Sequence, residues 1–306
     1  MSAIILDKIK KTYNKGKILA VDDISFNVNE GELFGLIGPD GAGKTSIFRI
    51  LTTLLLPDEG KATVNGFDTV KDYIEIRNCI GYMPGKFSLY PDLTIEENLN
   101  FFATIFGTTI SENYSLIKDI YSQIEPFKTR KAGNLSGGMK QKLALCCALI
   151  HKPKILFLDE PTTGIDAVSR KELWDMLKNL KKQGITILVS TPYMDEATLC
   201  DRIALILKGK ILTIDTPDNI IKQYEGKLYA AKSSSMFSLL KDIRSYEKTM
   251  DCFAFGEFLH VKFKNDDEND ITEKLKSYLK QHSHPEVEIK EIEPTVEDCF
   301  IRLMRK

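Results

Sequence analysis

Apolar and polar residues alternate at the start of the chain and then change period. Between residues 4 and 37 the apolar positions come in short strand-like runs, Ile4-Ile5-Leu6, Ile18-Leu19-Ala20-Val21 and Ile24-Ser25-Phe26-Asn27-Val28. The turn formers Asn14-Lys15-Gly16 and Asn29-Glu30-Gly31 separate them, so the segment predicts an antiparallel β-layer. Residues 32–37 form an apolar run ending in a glycine-rich loop, and residues 46–51 then take helical spacing. Short strands are expected at 61–66 and 80–83, around a helical stretch near 69–78.

From 94 to 133 the pattern is helical, with Thr94 and Glu97 as a capping box and Leu99, Phe102, Ala103 and Phe106 at helical intervals. A helix over 139–150, an apolar strand over 155–158, a helix over 169–182 and a buried strand over 186–189 follow. Helices alternating with wholly apolar strands argue for a mostly parallel sheet covered on both faces, an α/β class. After Tyr224-Glu225-Gly226 the order becomes strand 227–232, helix 236–244, strands 249–255 and 258–263, helix 271–282, strand 287–292 and a closing helix from 295. This β-α-β-β-α-β order predicts a small α+β ferredoxin-like domain. Two domains are expected: 1–224, with a helical subdomain at about 86–153, and an accessory or regulatory domain at 225–306.

Composition narrows the partners. The 306 residues are 43% hydrophobic and 28% charged with a net charge of -1, ordinary for a globular protein and without the basic excess of a nucleic-acid binder. No nucleic-acid partner is expected. Lys8, Lys10, Lys11, Lys15 and Lys17 are taken as a solvated strand-and-hairpin face. No run approaches the roughly 20 apolar residues that span a bilayer, and the N-terminus lacks a signal-peptide pattern. Cys79, Cys146, Cys147, Cys200, Cys252 and Cys299 show no CxxC or metal spacing, which suits buried reduced thiols and a cytoplasmic setting.

The chemistry is concentrated in three motifs. Gly38-Pro39-Asp40-Gly41-Ala42-Gly43-Lys44-Thr45 fits the phosphate-loop pattern of glycine, four residues, then Gly-Lys-Ser/Thr. Its glycines let consecutive N–H groups, continuing into Ser46, turn toward a phosphate; Lys44 reaches the β/γ oxygens and Thr45 offers a hydroxyl to Mg²⁺. Leu135-Ser136-Gly137-Gly138 opens a helix and makes a second anion site. The strand 155–158 ends in Asp159-Glu160, a carboxylate for Mg²⁺ and one to activate a water.

With these three motifs in this order, residues 1 to about 224 resemble the ATP-binding cassette (ABC) ATPases, a P-loop NTPase fold. The resemblance implies ATP and Mg²⁺ as ligands, with Thr45 and Asp159 on the metal and Glu160 catalytic. It also implies a head-to-tail dimer in which Ser136, Gly137 and Gly138 complete the partner cassette's site, Tyr13 stacks on adenine, and Asp166 in Thr163-Gly164-Ile165-Asp166 links the two sites. Met139 stands at a signature position that is often Gln. Two departures concern the γ-phosphate: Gly85 replaces the usual Gln after Ile-Gly-Tyr-Met-Pro, and Pro192 replaces the usual His after Val-Ser-Thr. Nucleotide should bind, while hydrolysis in this chain's own site should be slow.

Residues 87–94 resemble the exporter branch, beside the groove that receives a cytoplasmic helix of the membrane subunit, and residues 292–300 resemble the end of drug- and antibiotic-export ATPases. The leading expectation is the ATPase subunit of a membrane exporter, peripheral on the cytoplasmic face, with a separate transmembrane permease and a second cassette as partners. The alternatives are a nucleotide-sensing cassette paired with a more active one, and a soluble ABC ATPase without a transport role.

Overall fold

The computed structural model describes residues 1–265 and 270–305; the parts of the expected C-terminal domain at 266–269 and 306 lie outside the described residues. Contacts divide the chain into two compact units, one built on Met1–Asp218 and the other on Asn219–Arg302.

In the first unit, β1 (Ser2–Tyr13) and β2 (Ile18–Asn29) form a long hairpin. Its alternation buries Ile4, Leu6 and Ile9 from one strand and Ile24, Phe26 and Val28 from the other. The next strand, β3 (Leu33–Ile37), is buried at every position and feeds the glycine loop, from which α1 (Lys44–Leu51) starts. β4 (Glu59–Val64) and the two-residue β5 (Phe67–Asp68) then complete a four-stranded antiparallel sheet of order β2-β1-β4-β5. The β-layer expected ahead of the loop thus takes half its strands from after it. Long-range pairing of that kind leaves no trace in local periodicity.

Beyond α2 (Tyr73–Cys79) and β6 (Ile80–Met83), the helical stretch resolves into α3 (Ile95–Ile105) and α4 (Ile110–Tyr121), which lie against α5 (Gly137–Leu149). The Thr94–Glu97 capping box is present, and Thr109 with Glu112 forms a second one. Then come β7 (Ile155–Asp159), α6 (Ala167–Lys182), β8 (Thr186–Thr191), β9 (Arg202–Leu207), β10 (Lys210–Asp215) and α7 (Pro217–Lys222). The last three of these lay beyond the elements assigned from pattern.

The central sheet has the order β10-β9-β3-β8-β7-β6, parallel throughout except for the antiparallel edge pair β9–β10. Ile37 pairs with Thr191 and Asp159 with Ser190. This register brings the loops after β3, β7 and β8 to one edge, the carboxyl ends of adjacent parallel strands, where ligands bind in open α/β sheets.

In the second unit, β11 (Leu228–Lys232), α8 (Met236–Ser245), β12 (Thr249–Phe255), β13 (Phe258–Phe263), α9 (Ile271–Gln281), β14 (Glu288–Ile292) and α10 (Val296–Leu303) follow in turn. The sheet runs β12-β13-β11-β14 with every neighbour antiparallel. Leu239, Ile243, Leu275 and Leu279 from the helices share its core with Val261 and Phe263. His260 Nδ1 lies 2.7 Å from Asp298 Oδ1, and Asp298 also accepts from the Thr295 N–H and hydroxyl.

All six cysteines are free; five are buried, while Cys79 is only half-buried. Among the described residues no helix is long and apolar enough to cross a membrane.

Candidate nucleotide site

The loop between β3 and α1 is held by its glycines. Gly43 caps α1 with φ 105°, and a Cβ there would meet the Ala20 carbonyl oxygen at 2.3 Å, so only glycine fits. At Gly38 a Cβ would meet the Ile206 carbonyl oxygen at 2.2 Å. Residues 41–46, Ala20 and Glu160 line a cavity of about 210 Å³. Asp40 is exposed at the mouth of the loop. Tyr13, at the end of β1, places its hydroxyl 3.0 Å from Ser46 Oγ and so reaches the start of α1.

Lys44 is 3% exposed, and its ammonium donates to the carbonyls of Gly38 at 2.7 Å and Pro39 at 3.1 Å. It also pairs with Glu160 Oε1 at 3.1 Å. A buried ammonium needs such partners. Asp159, equally buried, accepts from Ser190 Oγ at 2.6 Å through one oxygen. Glu160 has a left-handed backbone, φ 53°, a conformation that costs a residue other than glycine about 1–3 kcal/mol. The Glu160 N–H, donating to Ser190 O and Oγ at 3.1 Å each, holds it there. Ser190 therefore anchors the Asp159 carboxylate and the Glu160 backbone, although the apolar pattern predicts a strand that stops at 189. The only available signal was a serine closing an apolar run.

Ser136, Gly137 and Gly138 do not line this cavity. Ser136 caps α5 and accepts from the Met139 N–H, and both Ser136 and Gly137 are exposed. A Cβ on Gly137 would lie 3.2 Å from the Gly164 carbonyl oxygen, and one on Gly138 only 2.5 Å from Ser169 Oγ. The turn thus packs on the loop that ends in Asp166. Asp166 caps α6, accepting from the Val168 and Ser169 N–H groups at 3.0 Å and the Ser169 hydroxyl at 2.7 Å. These bonds, the Ser169 hydroxyl above all, hold its carboxyl below the usual aspartate range.

Gly85 is exposed, but a Cβ there would approach the Asp159 carbonyl oxygen to 3.0 Å. Pro192 directly follows β8.

Beside these loops, between β6 and the helices α3 and α5, lies a larger groove of about 670 Å³. Tyr82, Leu89, Phe102, Phe106, Ala148 and His151 give it an apolar lining, with Arg77 also contributing. From residues 87–94, singled out by sequence, Ser88 and Leu89 reach it. Asn98, fully buried, accepts from the Tyr90 N–H and donates to the Tyr90, Leu93 and Thr94 carbonyls, fixing that segment against α3.

A family profile described as ABC transporter matches residues 21–163. The probable multidrug ABC transporter ATP-binding protein YbhF of Escherichia coli (strain K12) is 36% identical over 308 residues, 99% of this chain but 52% of that protein. The chain thus spans about half the length of that relative. The Nod factor export ATP-binding protein I of Rhizobium sp. (strain N33) is 33% identical over 98% of this chain and 96% of its own length. Among solved structures, a dimeric ATP-binding cassette in a post-hydrolysis state with ADP and Pi superimposes with a TM-score of 0.63. It shares 27% identity and covers 70% of this chain and 98% of its own. The chain belongs to the ABC transporter family, as an ATP-binding cassette of the ATPase class.

Proposed function

We propose that this chain binds Mg-ATP at the β3–α1 loop, hydrolyses it slowly, and closes head-to-tail on a second cassette to drive a separate transmembrane subunit of an exporter. One observation carries the reading. The cavity collects Lys44, Thr45 and Glu160, while the second anion-binding turn, Ser136 to Gly138, lies outside it with Ser136 and Gly137 exposed. A turn so placed serves a phosphate only if a second cassette brings one to it.

In this reading the backbone N–H groups of residues 41–46 and the Lys44 ammonium hold the β- and γ-phosphates. Tyr13 stacks on the adenine. The hydroxyl of Thr45 and the carboxylate of Asp159 are hard oxygen donors of the kind Mg²⁺ takes and would hold it. The bound Mg²⁺ supplies charge neutralisation at the phosphates. Glu160, released from Lys44 once a phosphate competes for the ammonium, orients and deprotonates the attacking water. The names of its relatives support export of a small molecule, and the 670 Å³ groove suits a helix of the membrane subunit.

A second reading, ATP sensing beside a more active cassette, is favoured by Pro192, which has neither a side-chain donor nor a backbone N–H. Size-exclusion chromatography of Glu160→Gln with and without Mg-ATP tests the first. A nucleotide-dependent dimer is expected; a protein that stays monomeric at high concentration, alone and with its membrane partner, refutes it.

A further inference from the structure

One buried carboxylate joins the loops around the proposed γ-phosphate position. Glu196 lies in the 3-10 turn Met194–Leu199 after β8 and is 1% exposed. Its Oε2 accepts from Thr191 Oγ1 at 2.5 Å and from Thr162 Oγ1 at 3.1 Å. Its Oε1 faces Arg170 Nε at 3.6 Å, inside ion-pair range but beyond a hydrogen bond. Both of those atoms are buried and neither has a hydrogen-bond partner among the described residues. Arg170 is steadied by the Tyr193 ring, whose centroid lies 4.3 Å from its guanidinium carbon, and by Asp195 at 3.6 Å.

Each partner belongs to a different working part. Thr191 ends β8 and precedes Pro192; its neighbour Ser190 holds Asp159 and the Glu160 N–H. Thr162 lies between Glu160 and the surface loop 163–166. Arg170 sits in the first turn of α6, its N–H bonded to the Asp166 carbonyl at 2.9 Å. The network is also one bond short. Bringing Arg170 Nε from 3.6 Å to a charge-assisted bond of about 2.8 Å needs only about 0.8 Å of travel by the start of α6. A buried donor and acceptor left this close but unbonded are costly, so closing the gap is favoured.

We infer that Glu196 is a positioning residue: it ties the 163–166 loop and α6 to the end of β8, so that docking of a second cassette on Asp166 is passed through Thr162 and Thr191 to Ser190 and sets Glu160 for hydrolysis. This rests on the ATPase reading above. Glu196 touches no nucleotide and acts only through its hydroxyl and guanidinium partners.

The test is steady-state ATP turnover by the full chain as wild type, Thr162→Val, Glu196→Gln and the double variant, with thermal unfolding of each. Thr162→Val keeps the shape and leaves Glu196 bonded to Thr191, so it holds the test open should Glu196→Gln fold poorly. Both single variants are expected to lose at least about tenfold in kcat with KM for Mg-ATP within about threefold, the mark of an interaction used in the transition state. The double variant should lose no more than the worse single, because Thr162 acts through Glu196 and its bond lies within the network that Glu196→Gln disturbs. Full turnover by Thr162→Val, a KM rising in step with the lost rate, or additive losses in the double variant each overturn the coupling. A wild type without any turnover removes the ATPase reading and the coupling with it.

Discussion

Gly85 and Pro192 sit where the family usually places Gln and His, and each changes the local chemistry differently. Pro192 has no donor to offer, whereas at Gly85 space is short as well: a Cβ there would press on the Asp159 carbonyl oxygen at 3.0 Å. A preorganised donor aimed at developing charge is commonly worth about a hundred- to thousandfold in rate. Pro192→His is therefore expected to raise turnover by about tenfold or more, with Mg-ATP affinity unchanged. Gly85→Gln should gain less by itself, because the end of β7 must first give by a few tenths of an ångström. An ordinary wild-type rate, on the order of 1–10 per second, that the double reversion leaves unchanged would show that neither departure matters. Lys44 and Glu160 are paired at 3.1 Å.

The groove depends on how β6, α3 and α5 meet rather than on any one residue. His151, just past α5, stacks on Phe106 with ring centroids 3.8 Å apart and lies 2.9 Å from the Ile80 carbonyl through Nε2; its buried Nδ1 has no partner among the described residues. Burial pushes its pKa below the ordinary histidine value, the bond to Ile80 opposing only in part. A histidine depressed in this way stabilises the fold fully above about pH 6.5, and that contribution is lost as pH falls below it toward the folded value. The thermal midpoint of the wild type should accordingly drop between pH 7 and pH 5, and His151→Gln, which keeps a donor for Ile80, should drop less. Equal drops in the two proteins would mean that His151 is not held neutral by its surroundings.

The two units divide the labour. Every residue proposed to hold phosphate or metal or to activate water lies in Met1–Asp218, while the sheet β12-β13-β11-β14 and its helices build a separate core. A chain ending at Gly226 is therefore expected to fold and bind Mg-ATP with an affinity within about threefold of the full chain, under about 1 kcal/mol. Equilibrium binding of a fluorescent ATP analogue checks this. A truncated protein that is soluble and folded yet binds no ATP would place part of the site in the second unit. We propose that the second unit serves dimer contact or regulation, since it carries no nucleotide or metal motif.

The phosphate loop, the signature turn, the Asp159-Glu160 pair and the parallel strands that carry them were all legible in sequence. Their chemistry demands fixed residue types at fixed local spacing, and buried parallel strands are apolar throughout. Two sorts of feature were not. Strand order was hidden, so β4 and β5 entered the first sheet unannounced and β9 and β10 closed the second, because pairing between distant segments has no period. The supporting side chains were hidden as well: Ser190 and Glu196 look like strand-end and turn residues until the register Asp159 to Ser190 and Ile37 to Thr191 brings them under the site. Sequence by itself singled out the residues proposed to meet a nucleotide. Only the tertiary structure decided what holds them, because burial turns an ordinary hydroxyl or carboxylate into one that must find a partner, and the partner is chosen by the fold.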